Sequence, residues 1–279
     1  PFGGDNGAPL YFSVRENKKY YNIYKKANPF SAAMSQKTSG KNFNRNPWYN
    51  PATDKLAFSC MQDGSSTSDI FTMFDNKGKA LSQITESSDA YEENPSFNKD
   101  GSKIVYNKIQ NTYYRKVNWA GMLFGFGVST VIVQNSDIWM KDMKTGETTL
   151  LSNGYQPSFS PDGKKVAYVK YSSDAKSTSI WVMNIDGSEQ VQVTDAKKGF
   201  AFHPRFSPDG KRIVFQSSKK DKKDADLYVV DTDGNNLVQL TVNKSYDGQP
   251  YWTTDGYIYF VSDRGNDPGN YQIWRFKYE

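Results

Sequence analysis

Two residue types that carry much of protein chemistry are nearly missing from this chain. Its 279 residues include one cysteine, Cys60, and one histidine, His203. A single cysteine excludes an intramolecular disulfide, and a single histidine excludes a metal site built from several histidines. No glycine-rich phosphate loop follows a strand and opens a helix. We therefore expect no catalytic residues, no metal and no cofactor.

The chain also lacks a long apolar run and a strong excess of charge. No stretch is long enough to cross a bilayer, so we expect no transmembrane segment. The 35 basic and 30 acidic side chains are interspersed and give a net charge of +5. The densest basic run, residues 219–224, contains its own acids and is typical of a solvated loop. We expect no nucleic-acid partner.

What the chain does contain is one short phrase written five times. The copies begin NPWYN at Asn46, NPSFN at Asn94, QPSFS at Gln156, HPRFS at His203 and QPYWT at Gln249. Their prolines, Pro47, Pro95, Pro157, Pro204 and Pro250, are 48, 62, 47 and 46 residues apart. A period in the forties indicates an array of one supersecondary unit.

Each unit is predicted to contain four short antiparallel strands. In the copy that starts at Gln156, tight turns at Ser160–Gly163 and Asn184–Gly187 separate runs of alternating residues. The third strand recurs six times as an aliphatic–aromatic pair, from Ile23-Tyr24 to Ile273-Trp274. A unit of this size matches one propeller blade.

We therefore predict an all-β fold, a single six-bladed β-propeller over residues 1–279 with four-stranded antiparallel blades. The expected blades are approximately 1–42, 43–90, 91–152, 153–199, 200–245 and 246–279. The last blade lacks its outer strand, and the chain begins inside what looks like a repeat. We expect a segment upstream of the chain to supply the missing strand, because an open edge invites aggregation.

The phrases also resemble those of a known family. Pro-x-Phe-Ser-Pro-Asp-Gly-Lys follows at Pro157 and Pro204, the third strands are of the Asp-Ile-Trp type, and an Asp-Gly turn precedes Gln239–Thr241. These residues resemble the TolB-like family of six-bladed propellers. The resemblance implies a periplasmic or outer-membrane-associated protein that binds envelope proteins, in particular outer-membrane lipoproteins. The same repeat also resembles the propellers attached to prolyl-oligopeptidase-type peptidases.

The longest departure from the repeat is an insertion at residues 109–136, between the second and third strands of the third blade. It is rich in apolar and aromatic residues, and the order of the strands puts it on the face that carries the joins between blades. Three interpretations stay open: a hairpin that extends its blade, a plug over the channel, or an exposed surface for a partner. The expected partner-binding residues are Tyr113, Tyr114, Arg115, Trp119, Met122, Leu123, Phe124 and Phe126.

A second candidate site is the residue before each repeated proline. We call these five residues the collar: Asn46, Asn94, Gln156, His203 and Gln249. All can donate and accept hydrogen bonds, and the repeat places them around the mouth of the channel. They either satisfy strand ends or bind a peptide, glycan or small ligand, with help from neighbours such as Arg45, Glu92, Glu93, Tyr155 and Asp247.

Taken together, these features predict a non-enzymatic binding propeller of the bacterial cell envelope. We expect it to dock a protein partner on the face that carries the insertion, and to be a monomer. Two alternatives stay open. One is a substrate-gating propeller of a prolyl-oligopeptidase-like peptidase, and the other is a module that binds a glycan or small molecule in its channel.

Overall fold

The computed structural model describes residues 9–16, 19–28, 31–76, 80–110, 136–195, 199–218, 224–265 and 270–278. Within these ranges the chain forms 22 β-strands and no helix. The strands follow one another as antiparallel meanders, six of them within the described residues. The all-β fold and the four-stranded antiparallel unit are confirmed, whereas the count of six blades stays a prediction.

The meanders are numbered in chain order and used under these names below. Meander 1 contains β1 (Leu10–Glu16), β2 (Tyr20–Lys26) and β3 (Met34–Gln36). Meander 2 contains β4 (Phe43–Asn50), β5 (Lys55–Met61), β6 (Asp69–Phe74) and β7 (Leu81–Gln83). Meander 3 contains β8 (Ala90–Phe97), β9 (Lys103–Gln110), β10 (Ser136–Asp142) and β11 (Thr148–Asn153).

The second half of the chain repeats this plan. Meander 4 contains β12 (Tyr155–Phe159), β13 (Lys165–Tyr171), β14 (Thr178–Asn184) and β15 (Val191–Gln192). Meander 5 contains β16 (Phe200–Phe206), β17 (Arg212–Ser218), β18 (Asp226–Asp231) and β19 (Val238–Gln239). Meander 6 contains β20 (Asp247–Trp252), β21 (Tyr257–Ser262) and β22 (Gln272–Lys277). All six predicted third strands lie within β2, β6, β10, β14, β18 and β22.

A backbone hydrogen bond joins each meander to the next one. Tyr21 N–H donates to Asn42 O at the first junction, and Asp247 N–H donates to Ala225 O at the last. The three junctions between them use the pairs Glu92–Ser68, Gly154–Ser136 and Thr178–Gly199. At the first junction the contact extends to a parallel pairing of Tyr21 with Phe43, which merges meanders 1 and 2 into one sheet.

The apolar core is divided among the junctions. Five clusters of buried side chains are present in the described residues, and each one joins two successive meanders. For example, Ile23 of meander 1 packs with Phe58 of meander 2, and Val214 of meander 5 packs with Phe260 of meander 6. Burial of apolar surface stabilises a protein by about 25 cal/mol per Å². These clusters therefore hold neighbouring meanders face to face. The junctions resemble one another, which explains why one sequence pattern can be repeated along the chain.

The predicted insertion falls on the connection between β9 and β10. Residues 111–135 lie outside the described residues, so its three interpretations stay predictions. The predicted domain boundaries also stay predictions, and Pro1–Ala8, where the sequence leaves room for a truncated first strand, are outside the described part as well.

Candidate functional site

The five collar residues share one uncommon backbone conformation. Their φ angles are all positive, between 51° and 55°. Each lies at a β-bulge, where the pairing of the first strand with the second shifts its register. A non-glycine residue in this region costs about 1–3 kcal/mol and persists only where its surroundings hold it. The collar must therefore be fixed by specific contacts.

Side-chain amides of the preceding meander supply some of these contacts. Gln156 N–H donates to Asn107 Oδ1 at 3.1 Å, and Gln249 N–H donates to Gln216 Oε1 at 2.8 Å. Asn107 and Gln216 occupy the same place on β9 and β17, and both are buried. Asn107 Oδ1 also accepts from Asn94 Nδ2 at 2.9 Å. We call such a hydrogen bond, from a collar N–H to a side-chain amide oxygen of the preceding meander, a clasp. The clasps link the collar from one meander to the next.

At His203 the clasp is made by the collar itself. The equivalent of Asn107 on β13 is Val169, which has no polar group, and Gln156 Oε1 accepts the N–H of His203 instead, at 2.8 Å. Gln156 Nε2 lies 3.4 Å from His203 Nε2. Burial, reinforced by the charge of Arg205, lowers the pKa of His203 to about 3. The imidazole is therefore neutral near pH 7 and is unsuited to proton shuttling there.

Three side chains from three different sheets meet where the first strands converge. They directly follow repeated prolines: Trp48 on β4, Arg205 on β16 and Tyr251 on β20. The Arg205 guanidinium lies 5.2 Å from the Trp48 ring centroid. The Trp48 and Tyr251 rings are 6.4 Å apart in an edge-to-face arrangement. Meanders 3 and 4 have a small buried serine at the same position, Ser96 and Ser158. The large side chains at this position therefore come only from meanders 2, 5 and 6 among the five repeated phrases.

The charged residues of this centre are partly withdrawn from water. Burial lowers the pKa of Arg205 to about 10. Burial raises the pKa of Glu93, an effect that the nearby Arg45 charge opposes. Arg45 itself is buried and lies 4.7 Å from the Tyr21 ring centroid. Both arginines are thus held against aromatic rings, Arg45 at Tyr21 and Arg205 at Trp48.

The other neighbours named from the sequence do not gather at this centre. Glu92 is buried and pairs with Lys108 at 3.6 Å, on the side of the strand opposite to Glu93. Asp247 forms an ion pair with Arg264, and the Tyr155 ring packs edge-on against Tyr171 at 5.2 Å. The eight insertion residues proposed as partner contacts lie outside the described residues. Among the described residues, no group of His, Cys, Asp or Glu could hold a metal ion.

A groove that the sequence did not reveal lies between meanders 4 and 5. It encloses about 520 Å³. Much of its lining belongs to the joins between second and third strands and between one meander and the next, which leave from the same strand ends. We call the face with these joins the upper face. The groove mixes polar groups with apolar ones, among them Thr194, Asp195, Ser217, Tyr228, Leu237 and Val242.

The acidic residues of the groove have different roles. Asp226 accepts hydrogen bonds from Gln239 Nε2 at 3.1 Å and from Thr241 Oγ1 at 3.3 Å. Asp69 accepts from Gln83 Nε2 in the same way in meander 2. Asp226 is therefore part of the repeated scaffold. Because an equivalent aspartate occurs in meander 2, the sequence around Asp226 does not mark it as a binding residue. Val242 is 81% exposed at the rim and is available for contact.

The comparisons with known proteins agree with this architecture. The family model described as the TolB beta propeller domain matches residues 143–279. The solved structure of TolB from Acinetobacter baumannii aligns with 99% of this chain at a TM-score of 0.66 and 16% identity. This chain resembles the TolB β-propellers in fold, and the family model covers its second half. The resemblance expected from the repeated phrases is confirmed. At this identity the likeness to the solved structure shows the fold alone, and the TolB-like chain spans 65% of the Acinetobacter protein.

A second relative of the TolB-like chain is an enzyme subunit. Over 70 residues, 24% of this chain, it is 39% identical to hydrazine synthase subunit alpha of Kuenenia stuttgartiensis, and the match covers 9% of that protein. The solved Kuenenia stuttgartiensis hydrazine synthase aligns with 98% of this chain and 44% of its own, at a TM-score of 0.71 and 14% identity. Among the described residues of the TolB-like chain, no helix could cross a membrane.

Proposed function

We propose that this TolB-like propeller is a non-enzymatic binding scaffold of the bacterial cell envelope that docks a protein partner on its upper face. The groove between meanders 4 and 5 carries the proposal, because it offers a concave surface with apolar, hydroxyl and carboxylate groups on that face. Protein interfaces combine such an apolar centre with a polar rim. The sequence predicts that the 109–136 insertion stands on the same face, where its aromatic residues would enlarge the contact.

The absence of catalysis is proposed from how the chemistry-bearing residues are used. His203 is neutral and holds a backbone clasp with Gln156. Glu92 pairs with Lys108, and Asp247 pairs with Arg264. These three side chains are engaged in the scaffold, which makes surface recognition the property to test.

A second candidate is a propeller module within a larger enzyme. The 39% identity over 70 residues to hydrazine synthase subunit alpha favours it. Under this candidate the upper face would dock a catalytic subunit rather than an envelope protein. The gating propeller of a prolyl-oligopeptidase-like peptidase, predicted from the sequence as an alternative, is one form of it.

Site-specific photo-crosslinking tests the proposal. A crosslinking residue is placed at Val242 on the groove rim, or at Lys99 in the turn between β8 and β9, which lies on the opposite face. Both positions are exposed, so neither change should affect folding. In cells of a bacterium with an outer membrane, we expect Val242 to yield a discrete adduct with an envelope lipoprotein and Lys99 to yield none.

The outcomes separate the candidates. An adduct of Val242 with a soluble enzyme subunit would replace the envelope role with the second candidate. A folded Val242 variant without any adduct, or equal adducts from both positions, would contradict docking on the upper face.

A further inference from the structure

The second and third strands of the last three meanders carry aromatic rings side by side. Tyr168 is paired with Trp181 in meander 4, Phe215 with Tyr228 in meander 5, and Phe260 with Trp274 in meander 6. We call each such couple a ring pair. Because directly paired residues of neighbouring strands project from the same face of the sheet, the two rings form one aromatic surface. Such a surface attracts a cation that lies within about 6 Å of a ring centroid.

In meander 4 a lysine of the chain lies on the ring pair. Lys170 Nζ is 5.5 Å from the Tyr168 ring centroid and 4.7 Å from that of Trp181. The ammonium group also donates to Gln190 Oε1 at 2.8 Å. Lys170 follows Tyr168 by two residues on β13, so it projects from the same face as the rings. A ring pair with a polar acceptor beside it therefore binds an ammonium group in this protein.

An arginine takes the same place in meander 6. The Arg264 guanidinium lies 5.1 Å from the Phe260 ring centroid and 5.2 Å from that of Trp274. Asp247 is the polar partner, through its ion pair with Arg264. This cation follows the second-strand ring by four residues rather than two. The rings, and not one position in the chain, therefore determine where the cation lies.

Meander 5 has the ring pair but a serine in place of the lysine. Ser217 occupies on β17 the place that Lys170 occupies on β13. The rings of Phe215 and Tyr228 are stacked with their centroids 5.8 Å apart, and both residues line the groove between meanders 4 and 5. The described residues that line this groove include no lysine or arginine. The ring pair of meander 5 therefore faces the space of the groove.

A carboxylate borders this ring pair. Asp226 pairs directly with Ser217 and lines the same groove. The side-chain hydrogen bonds that it accepts within the described part of the chain come from an amide and a hydroxyl, both neutral. Burial raises the pKa of Asp226, and the nearby charges of Asp247 and Asp224 act in the same direction. A cation in the groove would thus meet an aromatic surface and a negative charge together.

We propose that the ring pair of meander 5 is a recognition site for a lysine or arginine side chain of the protein partner. The inference rests on the docking function proposed above and names the chemistry of the residue that enters the groove. The cationic group lies over Phe215 and Tyr228, and Asp226 supplies the counter-charge. It takes the place that Lys170 and Arg264 take in their own meanders.

A nuclear magnetic resonance titration of the full chain tests the site without a natural partner. The probe is the peptide Gly-Ser-Lys-Ser-Gly, and its matched control has norleucine in place of lysine, which removes the charge and keeps the alkyl chain. The tyrosine rings are isotopically labelled, and Tyr228→Phe assigns the Tyr228 signal. We expect the lysine peptide to shift this signal saturably and the norleucine peptide to leave it unchanged.

Two aspartate variants separate the counter-charge from the scaffold. Asp226→Asn keeps the shape of the side chain and should weaken binding of the lysine peptide about 2- to 5-fold, the effect of one partly exposed charge partner. Asp69→Asn is the matched control, because Asp69 has the same scaffold role in meander 2. It should leave the affinity unchanged.

Ser217→Lys supplies the cation from the chain itself, as meander 4 does. It should abolish peptide binding and unfold at a higher urea midpoint than Ser217→Met, which has a side chain of similar length without charge. The difference between the two midpoints should shrink when Asp226→Asn is added. If Ser217→Lys does not fold, the two peptides and the aspartate variants decide the question.

Several results would overturn the proposal. They are equal shifts from the lysine and norleucine peptides, no saturable shift at Tyr228, and no effect of Asp226→Asn. Binding that appears only after the lysines of residues 219–223 are replaced by glutamine would also overturn it, because the chain would then supply the occupant. None of these results concerns the Val242 adduct. Peptide binding without that adduct would contradict the docking function and leave the cation site in place.

Discussion

At the residue scale, the collar shows how a polar position acquires a structural role. Sequence inspection finds Asn, Gln or His before each repeated proline, but it does not reveal that all five have positive φ. That conformation turns the backbone N–H of Gln156, His203 and Gln249 toward an amide oxygen of the preceding meander. Two roles are predicted for the collar. The hydrogen bonds seen here satisfy backbone groups of the first strands, and ligand binding stays a prediction.

His203 should make stability depend on pH. Its folded pKa of about 3 is below the ordinary value of 6.5, so the unfolded chain binds more protons between these values. The free energy of unfolding should therefore be independent of this group above about pH 6.5 and fall as the pH drops, by up to about 1.4 kcal/mol per pH unit. His203→Gln, with the residue used at Gln156 and Gln249, should lack this dependence.

Urea unfolding of both proteins at pH 7 and pH 5 measures the effect. The difference between them isolates His203 from the carboxylates that titrate in the same range. A difference that stays constant between the two pH values would contradict an imidazole that is kept neutral in the folded protein.

At the element scale, the fourth strands are shorter than the alternating pattern predicts. Residues 190–194 and 237–241 read as full strands, yet β15 and β19 each contain two residues. The reason is that the third-strand N–H groups of Ile180 and Leu227 donate to the hydroxyls of Thr194 and Thr241. These bonds take the place of the next backbone hydrogen bonds between the two strands. A side chain that competes with the ladder ends the strand early, and hydropathy alternation carries no information on that competition.

The hydroxyl group of Thr241 should contribute to the stability of the protein beyond the packing of its side chain. Thr241→Val preserves the shape but leaves the buried N–H of Leu227 without its acceptor, which costs about 1–3 kcal/mol. Thr241→Ser keeps the hydroxyl and should recover most of the loss. Urea midpoints at constant m-value measure both variants. Equal midpoints for the Val and Ser variants would show that the hydroxyl contributes nothing.

At the scale of the whole molecule, distant repeats meet through Trp48, Arg205 and Tyr251. Meanders 2 and 5 are not neighbours in the chain, so their contact requires the array to curve back on itself. The contact of Arg205 with Trp48 and that of Tyr251 with the same ring place meanders 2, 5 and 6 around one centre. A closed arrangement of this kind agrees with the TolB-like fold.

A double-mutant cycle tests this closure. Trp48→Leu and Arg205→Met each remove one partner of the cation–π contact, and their coupling energy should be about 0.5–2 kcal/mol. Trp48→Leu combined with Arg212→Met serves as the control, because Arg212 lies over Tyr278 instead. Additive effects in the first pair would contradict a meeting of meanders 2 and 5.

By itself, the sequence determined the all-β class, the register of the repeat and the third strands, because turns and alternation are local properties of the chain. It also excluded a disulfide and a histidine-rich metal site, since these depend only on residue counts. Only the tertiary structure decided that Gln156 holds His203, that Arg205 faces Trp48 and that a groove opens between meanders 4 and 5. These contacts join residues far apart in the chain, and their geometry follows from how the meanders pack rather than from the pattern within any one of them.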